Sequence, residues 1–271
     1  MDYEKMSTAE VQRLARQGDS DALYEMVWRL ELLPPEHGND PVERCAWQDC
    51  WFEEAAEAGH IDAKQMYARS LLDRVMDAEW RQKAMHYLQS IVNDYDAGKL
   101  NDEDGFIAKL WLGIMLCEGY YTQRDVVKGA KLIHEADVFF GGFKEFGFKT
   151  LAKIGETYAY GYAQESEVPS SYDLIKAIKY LNMAVERFKP ENDPNHRGYK
   201  QFYEDLIRVC EDRQNSVLGT HPLSGSDNRQ KMMEISPAAA ERVKADKAAL
   251  ARLRKRLKQD GWNLKYRFNN F

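Results

Sequence analysis

No run of eighteen apolar residues occurs in this 271-residue chain, so none of it reads as a membrane-crossing helix. The opening Met1-Asp2-Tyr3-Glu4-Lys5 has neither the basic nor the apolar stretch of a secretory signal, and a cytoplasmic location is expected from that. Cysteine is scarce: Cys45, Cys50, Cys117 and Cys210 form no Cys-x-x-Cys pair, and no histidine cluster completes a zinc spacing. Reduced, buried thiols are the expectation, since a free cysteine packs as a small apolar residue. Catalytic signatures are missing as well. There is no Gly-x-Gly-x-x-Gly behind a strand, no Gly-Lys-Ser/Thr phosphate loop, no Gly-x-Ser-x-Gly elbow and no His-Glu-x-x-His. The six histidines are scattered, and His86 and His134 neighbour Tyr87 and Glu135 in sequence without facing them on a helix. These absences point away from an enzyme, a cofactor or a bound metal.

What is present is helical. Periodicity of the 3.6-residue kind covers most of the chain and convincing strands are lacking, which predicts an all-α fold. Charge is unevenly placed. From Pro237 onward ten Lys/Arg oppose three acids, leaving +7 there and −13 on the rest of a chain whose total is −6. An acidic body with a basic end bears on fields and partners, not on fold.

The same pattern returns at near-regular intervals. Ala22, Ala63, Ala108 and Thr150 stand 41, 45 and 42 residues apart. Four residues after each comes Met26, Tyr67, Leu112 or Ile154, and five after comes Val27, Ala68, Gly113 or Gly155. Offsets of 0, 4, 5 and 8 share one helix face, so each unit has a first helix with one buried side. A second helix follows, marked by Trp51-Phe52, Tyr87-Leu88, Leu132-Ile133 and Tyr180-Leu181, with Ala55, Ile91, Ala136 and Ala184 four residues after each pair begins. Gly119 and Gly161 fit first-helix ends. A helix pair of this size cannot bury its own apolar face, so such units stack.

The junctions Ala15-Arg16-Gln17-Gly18-Asp19-Ser20-Asp21-Ala22 and Ala56-Glu57-Ala58-Gly59-His60-Ile61-Asp62-Ala63 resemble those of Sel1-like repeats. Leu112-Gly113, Glu118-Gly119-Tyr120 and Gly129-Ala130-Lys131-Leu132-Ile133 resemble the remainder of that unit. The resemblance covers about residues 7 to 188. It implies an α-solenoid of about four tetratricopeptide-like repeats and an adaptor or regulatory role, often bacterial. Arg74 stands where a glycine is usual, Thr150 replaces the anchor alanine, and the Phe139–Phe148 loop departs from the usual junction.

The reading divides the chain into a solenoid at 1–217 with capping helices, a linker at 218–236, and a separate basic helix with an aromatic tail at 237–271. Ser7 and Glu10 spell a capping box ahead of Val11, Leu14 and Ala15. Subtracting the buried offsets leaves Tyr24, Glu25 and Trp28, Arg69, Trp111 and Glu118, and Lys153, Glu156 and Tyr160 projecting outward. Stacked units curve with their first helices on the concave side, and there Tyr24, Trp28, Arg69, Trp111, Glu118 and Tyr160 are the expected contacts for a protein or peptide partner, since Trp, Tyr and Arg dominate binding hot spots. Arg252, Arg254, Lys255, Arg256 and Lys258 are the expected contacts of the basic helix. That helix has three readings: contact with nucleic acid or an acidic partner, docking on the acidic body of its own chain, or a dimeric coiled coil with Asp246 and Asp260 at seam positions. Docking is favoured on charge.

Overall fold

The computed structural model describes residues 2–33, 40–72, 77–160, 171–189, 197–215 and 237–264, and no strand occurs among them. Asp73, Arg74, Gly161, the expected linker at 218–236 and the terminal 266–271 segment lie outside the described residues. Two compact units divide the chain: Met1–Ala97 together with Ile235–Phe271, and Gly98–Glu234. The basic helix therefore belongs to the first unit instead of standing apart.

The first unit holds α1 (Thr8–Arg16), α2 (Ser20–Met26), α3 (Pro41–Glu57), α4 (Ile61–Leu72) and α5 (Ala78–Asp96), each packed on the next. Its starts are set by side-chain caps, which satisfy amide groups that a first turn leaves unpaired. Ser7 and Glu10 form the expected capping box at α1. Asp19 accepts the Ala22 amide at 2.9 Å at α2, and Asp40, followed by Pro41, caps α3. His60 stands where Asp19 stands in the preceding copy and does the same work, its Nδ1 accepting the Ala63 amide at 3.2 Å. The anchors Ala22 and Ala63 have no exposed surface, and Trp47 seals the first pair by donating from its indole to the Met26 carbonyl at 2.8 Å.

The second unit holds α6 (Asp102–Glu118), α7 (Val126–Phe139), α8 (Phe148–Ala159), α9 (Ser171–Arg187) and α10 (Arg197–Asn215). Here α6 pairs with α7 and α8 with α9, while α10 closes against α9 and α8. The expected first and second helices are thus α2/α3 and α4/α5 in one unit, α6/α7 and α8/α9 in the other. Glycine sets the approach of α6 and α7. A Cβ on Gly113 would lie 2.8 Å from the Gly129 carbonyl, and one on Gly129 only 2.6 Å from Cys117 Sγ. Gly119 ends α6 in the left-handed conformation at φ 66°, as its spacing predicts. The unusual aromatic loop after α7 packs inward: Phe143 is fully buried, with its ring 5.7 Å from that of Tyr180.

The last helix, α11 (Pro237–Gln259), lies against α3. Val243, Leu253 and Leu257 are buried, and Gly261 follows at φ 80°. Trp262 then turns back to meet Trp51 edge-on at 4.8 Å, beneath the Arg16 guanidinium at 4.2 Å.

Candidate functional site

Asp21, Tyr24, Glu25 and Trp28 fall at intervals of three and four, so they line one face of α2 and the turn that follows it. The N-terminal turn Tyr3–Lys5 and His60 border this face, leaving an open pocket of about 560 Å³ between them. Two contacts hold the turn in place. Tyr3 donates to the Asp19 carboxylate at 3.1 Å, and Arg29 donates to the carbonyl oxygens of Tyr3 and Met6 at 2.9 and 3.2 Å.

The cavity combines aromatic walls with carboxylates. Trp28 is 47% exposed and meets Tyr24 and Phe52 edge-on at 6.2 and 6.0 Å. Tyr24 stacks on His60 at 4.3 Å with the rings 14° from parallel. Asp2, Glu4, Asp21 and Glu25 contribute four acids to the lining. Glu25 is matched by Arg29 at 2.8 Å and Asp2 by Lys5 at 2.5 Å. Asp21 faces His60 at 3.6 Å, while burial pulls the imidazole's pKa down against the nearby Asp62 and Asp21. The imidazole is therefore neutral near pH 7, and Asp21 gains no counter-charge from it. Burial raises the Tyr24 phenol, with Asp62 adding to the shift, so that ring stays neutral too.

Among the expected contacts, Tyr24 and Trp28 come together here. Arg69 is exposed on α4, also in the first unit. Trp111, Glu118 and Tyr160 do not project outward: they are 7%, 1% and 8% exposed. Trp111 and Glu118 are hidden because α6 packs on both α7 and α8, which buries it from Ala108 to Glu118 with no face left over, and Tyr160 ends α8, which is packed on α9. Glu118 is instead the acceptor of a buried ion pair with Lys153 at 2.5 Å, and Lys153 also reaches Glu156 at 3.7 Å. Burial raises the Glu156 pKa, with Lys153 and the Tyr203 hydroxyl opposing.

The expected basic contacts are also redistributed. Arg254 pairs with fully buried Glu53 on α3, and Lys83 of α5 reaches the same carboxylate at 2.5 Å. Arg252 pairs with Glu43 at 2.8 Å, and Lys247 with Glu79 at 2.8 Å and Asp77 at 3.1 Å. Arg252 and Arg254 thus bind acids of their own chain, as charge complementarity predicts. Lys255 and Lys258 remain exposed, and Arg256 is half-buried.

No family model matches the chain, and no curated protein matches it. A similar solved structure is that of a protective antigen present in uropathogenic Escherichia coli strains, described as displaying an SLR fold. It is 17% identical with a TM-score of 0.44, over 96% of this chain and 44% of that one, so this chain spans less than half the length of that structure.

Sequence reasoning found Tyr24 and Trp28 but missed Tyr3, Glu4 and Asp21. Only the tertiary fold brings the N-terminal turn over α2, although an aromatic set between two acids at Asp2-Tyr3-Glu4 was a local signal. Among the described residues no group of three His, Cys, Asp or Glu side chains could hold a metal ion, and no helix is long and apolar enough to cross a membrane.

Proposed function

We propose that this chain is an interaction scaffold of the Sel1-like kind, which holds a protein or peptide partner at the pocket between α2 and the N-terminal turn. The observation that carries the reading is Trp28, a large aromatic left 47% exposed beside Tyr24 at the mouth of a cavity. An exposed tryptophan flanked by a second aromatic and a polar rim is the composition of a binding hot spot. Removing it gives up the edge contacts with Tyr24 and Phe52, worth about 0.5–1.5 kcal/mol each, but opens no hole in the core.

The test compares the full chain with Trp28→Ala and Tyr24→Ala in cross-linking followed by mass spectrometry. A defined partner cross-linked to α2 and lost from both variants, with circular dichroism unchanged, supports the reading. A partner retained by both variants, or cross-linked only elsewhere, removes it.

A further inference from the structure

The cavity under the N-terminal turn carries more negative charge than its own chain neutralises. Four acids line it and two of them, Asp2 and Glu25, have cationic partners. Glu4 and Asp21 have no lysine or arginine partner among the described residues, and the Asp21 side chain is 59% exposed. Two unmatched carboxylates beside a tryptophan and a tyrosine describe a receptor for a cation, because an aromatic face and a carboxylate both favour positive charge.

The kind of cation follows from shape. A guanidinium is planar, stacks on aromatic rings and donates in a fork that matches a carboxylate, whereas an ammonium is a compact and strongly hydrated point charge. The site already shows the first chemistry within the chain. Arg29 uses its guanidinium to bind the Glu25 carboxylate and the carbonyls of the N-terminal turn together. Arg29 and Glu25 are largely covered, whereas Glu4, Asp21 and Trp28 remain open to solvent.

We propose that this cavity binds an arginine side chain presented by the partner, with the guanidinium against Trp28 and Tyr24 and its donors on Asp21 and Glu4. The proposal rests on the scaffold reading and names the chemistry of its partner. Neutral His60 supports it by leaving Asp21 free of a competing charge, and the backbone bond to its Nδ1 keeps the ring stacked on Tyr24.

The test uses the full chain with ¹⁵N-labelled tryptophan, titrated with a seven-residue glycine-serine peptide carrying one central arginine, and with its lysine and citrulline counterparts. The Trp28 indole resonance is identified by its loss in Trp28→Ala. It is expected to shift with the arginine peptide, to respond at least about fivefold more weakly to lysine, and not to respond to citrulline. Asp21→Asn and Glu4→Gln should each weaken the response about tenfold, as loss of a charge-assisted contact does, while Glu103→Gln leaves it unchanged. Equal response to arginine and citrulline, or none to arginine, overturns the proposal, and equal response to lysine overturns the guanidinium assignment. A cross-linked partner lost in Trp28→Ala but indifferent to Asp21→Asn and Glu4→Gln also overturns it while the scaffold reading stands. An arginine response without any cross-linked partner removes the scaffold reading and leaves the cation site.

Discussion

Glu53 on α3 has no exposed surface and is neutralised by Arg254, a residue of the last helix, from the opposite end of the sequence. A buried carboxylate that loses its cation is costly, by about 3–5 kcal/mol when one partner of a buried pair is removed. Lys83 lies 2.5 Å from Glu53, and once the Arg254 charge is gone it can take up a proton and serve as the carboxylate's cation, so Arg254→Met is expected to cost somewhat less, about 2–3 kcal/mol. Adding Glu53→Gln to that variant should recover part of the loss. Urea unfolding of the two variants checks both statements, and an unchanged midpoint in Arg254→Met would show that the pair contributes nothing.

Alanine at Gly113 or Gly129 should destabilise the second unit in spite of alanine's better helix propensity. The propensity gain is about 1 kcal/mol, while forcing an atom into a closed contact costs about 1–3 kcal/mol. At Gly129 the new methyl group meets both Cys117 Sγ and the Gly113 carbonyl, the latter being backbone that has no side-chain freedom to yield. Gly147→Ala is the control, because a Cβ there meets nothing within 4 Å. Thermal unfolding should rank Gly129→Ala lowest and leave Gly147→Ala near the parent.

Stability should depend on pH through Lys83. Burial pushes its ammonium down to about 7, against Glu79, Asp49 and Glu57, from an ordinary value of 10.5. Between those values the unfolded chain binds a proton that the folded chain has released, so this group makes stability rise with pH and fall again toward pH 7. In Lys83→Met that contribution is absent. Urea midpoints at pH 7, 8 and 9 should therefore climb more steeply for the parent, and parallel lines for the two proteins would refute the assignment.

Thiol labelling should separate Cys45 from the rest. Cys50, Cys117 and Cys210 are buried, and burial holds the Cys50 and Cys117 thiols up at about 12, where the reactive thiolate is scarce at neutral pH. Cys45 is partly exposed. Native protein at pH 8 is expected to label quickly at Cys45 alone, with the others following only in denaturant. Rapid labelling of Cys50 would mean that α11 lifts from α3 readily, because Arg254 of that helix lies beside its sulfur.

The helix pairs were legible because close helix packing demands small residues at fixed offsets, and Ala22, Ala63, Gly113 and Gly155 stand where that demand falls. The caps were legible for the same local reason: Ser7 and Glu10 act across a single turn. Outward positions were less so. Subtracting one buried face identifies the rest as exposed only when a helix has a single neighbour, and α6, with two, hides Trp111 and Glu118. Nothing in the local sequence around Glu53 marks it as buried, yet it has no exposed surface, and its arginine partner comes from a helix placed far along the chain. Charge asymmetry signalled that a basic helix would seek an acidic surface, but periodicity holds no record of which surface.

That α11 completes the unit begun by α1 has a bearing on how the protein is made. About 200 residues of synthesis separate the end of α3 from the end of α11, which at about 5–20 residues per second is about 10–40 s. Throughout that interval the nascent chain displays Trp51 without Trp262 and Glu53 without Arg254, so the first unit closes only once α11 has left the ribosome. A message cut short before α11 would yield chains whose second unit is complete and whose first stays open, a difference that quality-control proteases can read directly.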